Sequence, residues 1–243
     1  MPVFRVLLDK LPAPGETCCA PPEQARHLVR VRRMTRHDHL ECLDRSGAAC
    51  AAEVIELSRD GVTFRLVGAP RAAVALPRVR VCISVLPEDV FDVVLQKCTE
   101  LGAAECQPIL CEYSVARVRA GDAARKCARW QRICDEAAIQ SGSAPMRVLP
   151  PVPASAVWPV AAPLKLLADQ TGAWLPLTPP RAAFIMLAIG PEAGFSAQER
   201  AMAVQHGWRP MRLSVHTLRA ETAAMAACAR LIIPAVEVPC PSQ

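Results

Sequence analysis

The features that the sequence lacks exclude several classes of protein. No apolar run in the 243 residues reaches the roughly 20 residues that a membrane-spanning helix needs. The apolar patch near the N-terminus is too short and too interrupted for a signal peptide, so we expect a cytoplasmic protein. No Gly-x-Gly-x-x-Gly motif follows a strand, which disfavours a dinucleotide-binding enzyme.

The cysteines are numerous but lack the spacing of a metal site. The chain has twelve cysteines, yet it has no Cys-x-x-Cys pair and no Cys/His spacing typical of zinc. Several lie within apolar runs, such as Cys82 and Cys228. Because a reduced, buried cysteine packs as a small hydrophobe, we expect structural thiols rather than disulfides, and no bound metal.

The composition is that of a globular, mildly basic protein. Hydrophobic residues make up 52% of the chain, enough to bury a sizeable core. The length allows two modest domains or one large one. The formal net charge is +5 at pH 7, which permits nucleic-acid binding without requiring it.

Positive charge is concentrated in one short segment. Residues 26–36 contain five arginines and no acidic residue. Arg26, Arg30 and Arg33 follow the i, i+4, i+7 spacing that places side chains on one face of a helix. Such a face is typical of a phosphate-contacting surface, although an ordinary solvated helix has the same pattern. We favour contact with RNA because no acid interrupts the cluster.

Two regions of the chain differ in their periodicity. Residues 1 to about 70 contain short alternating runs, two of which flank a turn at Asp60-Gly61, and this pattern predicts a β-rich domain with a hairpin. From Arg78 onward, apolar strands alternate with amphipathic helices. That alternation predicts a largely parallel sheet with helices on both faces. The predicted fold class is therefore α/β, with a smaller β-rich domain in front.

Residues 189–199, IGPEAGFSAQE, carry the strongest local signal. They follow the apolar run 184–188, so the pattern predicts a strand, a glycine-containing loop and then a helix. Open α/β sheets bind ligands at the carboxyl ends of their strands, where this loop lies. Ser196 and Glu199 match a capping box at the start of the helix. A well-capped turn without a ligand is the alternative, because a single glycine-containing turn is weak evidence.

A second segment changes the interpretation of that loop. Residues 212–233 contain LSVHTLRAETA, and this segment and IGPEAGFS together resemble the paired C-terminal motifs of the RsmE family. Further segments resemble family motifs in the same order, namely HLVRVRRM at 27–34, LQKCTELGAAECQPIL at 95–110 and RWQRICDEAAIQSGS at 129–143. The resemblance extends over essentially the whole chain.

This resemblance implies a two-domain methyltransferase. The family carries a PUA-like, RNA-binding β-barrel in front of a trefoil-knotted α/β domain of the SPOUT class, which corresponds here to residues 1–72 and 73–243. Its members methylate N3 of a uridine in 16S ribosomal RNA of the small subunit, with S-adenosylmethionine as the methyl donor. The resemblance also implies a homodimer and no metal. The knot follows from the resemblance alone, because knotted chains are rare. The apolar helix at 223–233 is compatible with a dimer interface or with burial inside one subunit.

In the resembled family, backbone atoms of three loops hold the cofactor, and these loops correspond here to residues 167–171, 190–194 and 213–218. The resemblance implies that the following residues contact S-adenosylmethionine here: Leu167, Ala168, Ile189, Gly190, Pro191, Glu192, Gly194, Leu213, Ser214 and Leu218. Ala193 and Ser214 stand where the family usually has glycine. A positive φ at either position would cost about 1 kcal/mol or more and would weaken cofactor binding.

The resemblance also assigns two catalytic residues. Arg219 matches the arginine of the family's LRTET motif, and we expect it to stabilise negative charge on a uridine that has lost its N3 proton. Its guanidinium cannot act as a base at neutral pH, and ordering the loop or binding a phosphate is the alternative role. Glu221 can orient Arg219 or accept the N3 proton. Alternatively, it can favour the helix N-terminus through the helix dipole.

The positions expected to face RNA depart in part from the family pattern. RNA contacts are expected at Arg5, Arg26, Arg30 and Arg33. Arg5 lies near the family's N-terminal arginine, although a surface arginine on an edge strand explains its position equally well. His216 and Ser143 replace usual arginines, so altered RNA binding is one implication of this sequence.

Three functions are compatible with the sequence. The favoured one is methylation of uridine N3 in 16S ribosomal RNA. The second is a related knotted methyltransferase that acts on another RNA or base. The third is an RNA-binding homologue that has lost cofactor affinity. Calorimetry with the cofactor separates the third function from the others, and mapping the modified base separates the first two.

Overall fold

The chain groups into two compact units. The computed structural model describes residues 4–30, 33–58, 61–175 and 182–233. The units are Met1–Val74 with Asp135–Pro145, and Ala75–Cys134 with Met146–Gln243. Among the residues described, no helix is long and apolar enough to cross a membrane. The domain limits 1–72 and 73–243 stay a prediction.

The first unit is built on a five-stranded sheet. Its elements are β1 (Arg5–Leu8), β2 (Thr17–Cys19), α1 (Pro22–Arg30), β3 (His39–Asp44), β4 (Ala49–Leu57) and β5 (Val62–Leu66). The strand order is β1-β3-β4-β5-β2, with β1 parallel to β3 and the other neighbours antiparallel. Strands β4 and β5 form the predicted hairpin, and Asp60 of its turn lies outside the described residues.

A hydrophobic core stabilises this sheet. Successive side chains of a strand point to opposite faces, so alternate positions can be apolar and buried. Val6, Val54 and Phe64 have no exposed surface, and Leu28 of α1 packs against the same core. The β-rich character predicted for this part of the chain is confirmed.

The second unit is a parallel α/β sheet. Its elements are β6 (Arg78–Ser84), α2 (Glu88–Glu100), β7 (Glu105–Leu110), a 3-10 turn (Ala120–Asp122), α3 (Ala123–Ser141, grouped from Asp135 onward with the first unit), β8 (Arg147–Val148), β9 (Val152–Pro153), α4 (Ala154–Val157), β10 (Leu164–Trp174), β11 (Phe184–Ile189), α5 (Ala197–Gln205), β12 (Arg209–Arg212) and α6 (Ala220–Ile232). The strand order is β12-β10-β11-β6-β7-β8, with β9 also paired to β7. All of these pairs are parallel.

Both faces of this sheet are buried. Ile185 and Leu187 of β11 pack on the face covered by α2 and α6, whereas Met186 and Ala188 pack on the face with α4 and α5. A strand that is buried on both sides has to be apolar without interruption, as the run FIMLAI is. The predicted parallel sheet with helices on both faces is confirmed.

The apolar helix α6 is used inside its own unit. Its buried residues include Ala224, Ala227, Cys228 and Leu231, and they belong to the core that α2 and β6 share. Small alanine side chains allow α6 to approach α2 and the sheet closely. Most of its apolar face is therefore covered without a second subunit.

An ion cluster joins β6 to β7. Glu105 accepts a hydrogen bond from Arg80 Nε at 2.6 Å and another from Arg78 Nη2. Both guanidinium groups also lie over the Phe184 ring, at 5.1 and 5.3 Å from its centroid. Burial raises the pKa of the Glu105 carboxyl, but the two arginines outweigh that effect, so its pKa lies below the ordinary value. The carboxylate therefore stabilises the fold in its charged form.

Candidate functional site

A cavity of about 290 Å³ lies at the carboxyl ends of β11 and β12 and beside the middle of β10, which is their common neighbour in the sheet. Its volume is close to the lower limit of roughly 300–1,000 Å³ that is typical of small-molecule sites. It is lined by Ala168, Asp169, Gln170, Thr171, Ile189, Gly190, Pro191, Glu192, Ala193, Gly194, Phe195, Arg200, Met211, Leu213, Thr217, Leu218, Ala220 and Ala223. This edge is where open α/β sheets bind ligands.

The pairing of strand β10 with β12 is interrupted where β10 meets the cavity. Ala168 and Ala173 both pair with Met211 of β12, so residues 169–172 bulge out of the sheet. The first three residues of this bulge line the cavity. Gly172 lies so close to the β12 backbone that a Cβ atom there would overlap it. The bulge therefore depends on a residue without a side chain.

The loop between β11 and α5 makes a sharp turn with good capping. Gly194 has a φ of +76°, and a Cβ on Gly190 would lie 3.1 Å from the Gly194 carbonyl carbon. Ser196 Oγ accepts from Glu199 N at 3.2 Å, and Ser196 N donates to Glu199 Oε2 at 2.9 Å. The predicted capping box is confirmed. Ala193 does not have a positive φ, so the backbone penalty considered for it does not arise.

Side chains connect the segment after β12 to the bulge of β10. Gln170 Nε2 donates to His216 O at 2.8 Å, and Arg212 Nε donates to Gln170 O at 2.8 Å. Ser214 Oγ accepts from His216 N at 3.1 Å. Ser214, like Ala193, has no positive φ. The two contacts of Gln170 hold two walls of the cavity together.

The structure brings most of the predicted cofactor-binding residues to one cavity. All of them line it except Leu167 and Ser214. Leu167 is fully buried in the core beside α4 and α5, one residue before the strand reaches the cavity. Contact of these residues with S-adenosylmethionine stays a prediction. Within the described ranges, no cluster of three or more His, Cys, Asp or Glu is placed to hold a metal.

Neither predicted catalytic residue lines this cavity, although both are adjacent in sequence to a residue that does. Leu218 and Ala220 line the cavity, and Arg219 stands between them as the N-cap of α6. The Arg219 side chain is exposed and contacts no partner by hydrogen bond or ion pair among the described residues. Glu221 lies in the first turn of α6 and is half-buried. The geometry leaves the Arg219 guanidinium available to a ligand, and both catalytic roles stay predictions.

Arg5, a predicted RNA contact, takes part in a network inside the first unit. Arg5 Nε donates to Glu41 Oε2 at 2.7 Å, and Arg5 Nη1 donates to Gln140 O at 2.8 Å. Glu41 also accepts from Arg71 at 3.2 Å. Burial raises the Glu41 pKa, but these hydrogen bonds outweigh it and hold the pKa below its ordinary value. Arg5 lies on an edge strand, and its role toward RNA stays a prediction.

The predicted helical face of three arginines is wrong in one part. Helix α1 ends at Arg30, and Arg33 has a φ of +51°, which a right-handed helix does not allow. Met34 N then donates to Leu28 O at 3.3 Å as the chain turns back. Arg26 remains an exposed residue of α1, and the Arg30 side chain lies outside the described part of the structure. Contact of these three arginines with RNA stays a prediction.

Three lining residues, Asp169, Gln170 and Thr171, lie in the first of the three cofactor loops that the family resemblance implies, 167–171. Phe195 and Arg200 escaped the sequence-based prediction, because their place at the cavity depends on how α5 packs against the sheet.

Comparisons with known proteins agree with this architecture. The RNA methyltransferase domain family matches residues 74–232, and the RNA methyltransferase PUA domain family matches residues 21–67. The chain is 31% identical over 221 residues to the ribosomal RNA small subunit methyltransferase E of Synechocystis sp., covering 86% of this chain and 70% of the relative. It is 26% identical over 240 residues to the protein of the same name from Mycobacterium bovis, covering 90% and 87%.

Solved structures are similar over almost the whole chain. The ribosomal RNA small subunit methyltransferase E of Neisseria gonorrhoeae, bound to S-adenosylmethionine, has a TM-score of 0.84 and 28% identity, covering 93% of this chain and 95% of that one. A structure from Legionella pneumophila with bound S-adenosylmethionine has a TM-score of 0.85 and 25% identity, covering 94% and 96%. The predicted PUA-like domain, the methyltransferase fold and the family are thereby confirmed. The chain belongs to the ribosomal RNA small subunit methyltransferase E family.

Proposed function

We propose that the chain methylates N3 of one specific uridine in 16S ribosomal RNA, with S-adenosylmethionine as the methyl donor. The cavity at the strand ends carries this proposal, because the two motifs that resemble the family contribute two of its three walls. Relatives named ribosomal RNA small subunit methyltransferase E, and similar structures with bound S-adenosylmethionine, support it.

The residues of the cavity suit this cofactor, which supplies the methyl group when it is bound. Ile189, Leu213 and Leu218 offer an apolar surface against which the adenine ring can pack. Gly194 has a positive φ and no side chain, so a ligand can approach the backbone of this turn closely. Neither Ala193 nor Ser214 strains the backbone, which weakens the case for a homologue without cofactor affinity.

Arg219 and Glu221 have the chemistry that the uridine needs. A uridine that loses its N3 proton carries negative charge on its ring oxygens, and a guanidinium close to them stabilises that charge. Arg219 is exposed, follows the lining residue Leu218 and has no partner among the described residues, so its donors are free for this purpose. Glu221, two residues away, accepts the proton through water in this proposal, because the described part of the structure shows no ion pair through which it would orient Arg219.

The rest of the chain supplies RNA binding and assembly. In this proposal residues 1–72 form a PUA-like barrel that binds RNA, and residues 73–243 form a trefoil-knotted methyltransferase domain. Contacts with the small ribosomal subunit come from Arg5, Arg26, Arg30 and Arg33. The protein acts in the cytoplasm as a homodimer.

A second candidate function is methylation of another RNA or base by the same cavity. His216 is exposed and replaces a usual arginine of the family, so the surface near the cavity carries less positive charge. Such a change alters RNA recognition without altering the cavity.

Methyl transfer to small ribosomal subunits that lack this modification tests the proposal. Radiolabel from S-adenosylmethionine should reach one uridine N3. Arg219→Ala should lower the rate about 100- to 1,000-fold, as loss of one charge-stabilising donor does. Arg209→Ala is the matched control, because Arg209 is exposed at the amino end of β12, away from the cavity.

The outcomes separate the candidates. Label on a different base, or on an RNA other than 16S, establishes the second candidate. Absence of label together with absence of cofactor binding refutes both. An equal rate for Arg219→Ala and Arg209→Ala removes Arg219 from the mechanism.

A further inference from the structure

The cavity has one charged corner, formed by Asp169 and Arg200. Arg200 Nε lies 2.9 Å from Asp169 Oδ2, without the alignment of a hydrogen bond. Asp169 Oδ1 accepts from Thr171 N at 2.8 Å and from Thr171 Oγ1 at 2.7 Å. The Asp169 side chain is 7% exposed, and both of its oxygens are engaged. A carboxylate that is itself fixed therefore holds the guanidinium in place.

Arg200 keeps unused binding capacity in this position. Its backbone is fixed in α5, where Arg200 N donates to Ser196 O at 2.9 Å. Its side chain is 42% exposed and lines the cavity, and Nη1 and Nη2 contact no acceptor among the residues that the structure describes. A guanidinium presents its N–H donors as a planar fork that matches a carboxylate. The corner is therefore open to an anion.

The other walls restrict which anion fits. Ile189, Met211, Leu213 and Leu218 make a large part of the lining apolar. Apart from the Asp169–Arg200 pair, the charged lining residue is Glu192, which is exposed. An apolar wall with one guanidinium fits a ligand that has a flat apolar body and a single carboxylate at one end.

S-adenosylmethionine has a flat adenine ring at one end and, beside its ammonium group, a single carboxylate at the other. We propose that Arg200, held by Asp169, binds the carboxylate of the cofactor and makes the cavity selective for ligands that carry it. This assignment rests on the proposed function, in which S-adenosylmethionine is the ligand. The competing role is a brace that only ties α5 to the bulge of β10.

Calorimetry with three adenosyl ligands distinguishes these roles without measuring activity. S-adenosylhomocysteine carries the carboxylate and the amine, S-adenosyl-3-thiopropylamine carries the amine alone, and 5′-methylthioadenosine carries neither. Arg200→Met should weaken binding of S-adenosylhomocysteine about 10- to 100-fold, the range expected for hydrogen bonds between charged groups. Binding of the other two ligands should change by less than about twofold.

Two further variants keep the test decisive if Arg200→Met does not fold. Arg200→Lys keeps the charge but loses the fork, so it should show a smaller loss for S-adenosylhomocysteine alone. Asp169→Asn retains an acceptor for Thr171 but releases Arg200. This variant should also lose affinity only for S-adenosylhomocysteine, the ligand that carries the carboxylate. Arg209→Met serves as the control, and a thermal melt of each variant checks its fold.

Three results overturn the assignment. An equal loss for all three ligands makes Arg200 a brace. If Arg200→Met binds S-adenosylhomocysteine as tightly as the unmodified protein does, Arg200 does not contact the cofactor. The same conclusion holds if the variant loses RNA affinity instead, because the guanidinium then binds a phosphate. Failure of the unmodified protein to bind any of the three ligands overturns the cofactor itself, and that outcome is distinct from the first two.

Discussion

Gly172→Ala should weaken cofactor binding because the bulge of β10 has no room for a methyl group. A Cβ at position 172 would overlap the backbone of Pro210 and Met211, and backbone atoms cannot rotate away as a flexible side chain can. Adding a methyl group to a packed site costs about 1–3 kcal/mol. The strain is relieved when β12 moves or the bulge changes shape, and both movements displace cavity walls.

The expected size follows from that strain. If all of it falls on the bound state, affinity for S-adenosylhomocysteine drops about 5- to 150-fold, at 1.4 kcal/mol for each factor of ten. If it falls on the fold instead, the melting temperature drops by about 2–4 °C for each kcal/mol. Calorimetry and a thermal melt on the same sample measure the two contributions together.

Gly121→Ala is the matched control. Position 121 lies in the 3-10 turn (Ala120–Asp122), has no positive φ, and a Cβ there meets no atom within 4 Å. The same substitution should therefore leave binding unchanged and raise stability by up to about 1 kcal/mol through the unfolded state. If Gly172→Ala binds and melts as Gly121→Ala does, the close approach of Gly172 to β12 does not shape the cavity.

Three other perturbations have outcomes that follow from the structure. Glu105→Gln removes the charge that pairs with the partly buried Arg80, so stability should fall by about 2–3 kcal/mol in urea unfolding at pH 7. The Glu105 pKa is lower in the folded than in the unfolded protein, so the stability difference between the two proteins should be complete above the unfolded pKa of about 4.3. It should vanish as pH falls through the folded pKa. A stability difference that does not change with pH contradicts the ion cluster. In thiol titration, exposed Cys19 should react in the native protein, whereas Cys82, whose pKa burial raises to about 12, should react only after unfolding. Rapid native labelling of Cys82 would show that the sheet opens. Ser196→Ala removes the side-chain acceptor of the capping box and should lower the free energy of unfolding by about 1 kcal/mol, measured as a lower melting temperature. An unchanged melting temperature would show that the cap does not stabilise the fold.

Much of the fold could be predicted from the sequence, because the signals involved are local. A strand buried on both faces is apolar throughout, and FIMLAI shows this directly. The capping box of Ser196 and Glu199 is a contact between residues three positions apart, so its spacing is visible in the chain. The family followed from motifs whose residue order is itself the signal.

The same local reasoning failed where backbone geometry changed without a clear pattern. The arginine spacing predicted one helical face, but Arg33 adopts a left-handed conformation just beyond α1. The spacing of charges shows which side chains would share a face if a helix continued. It does not predict where the helix ends. The backbone penalty considered for Ala193 and Ser214 had the same origin, since the residue type at a loop position does not determine its φ.

The sequence by itself determined the family, the parallel sheet and, through the family resemblance, the three segments that contribute most of the cavity lining. The tertiary structure decided what the cavity is made of. Residues 169–172 bulge out between the two stretches in which β10 pairs with β12, and Arg200 of α5 reaches Asp169 in that bulge. Periodicity and capping arise between neighbours in sequence, whereas a cavity arises where distant segments meet, and their contact depends on the packing of the whole sheet.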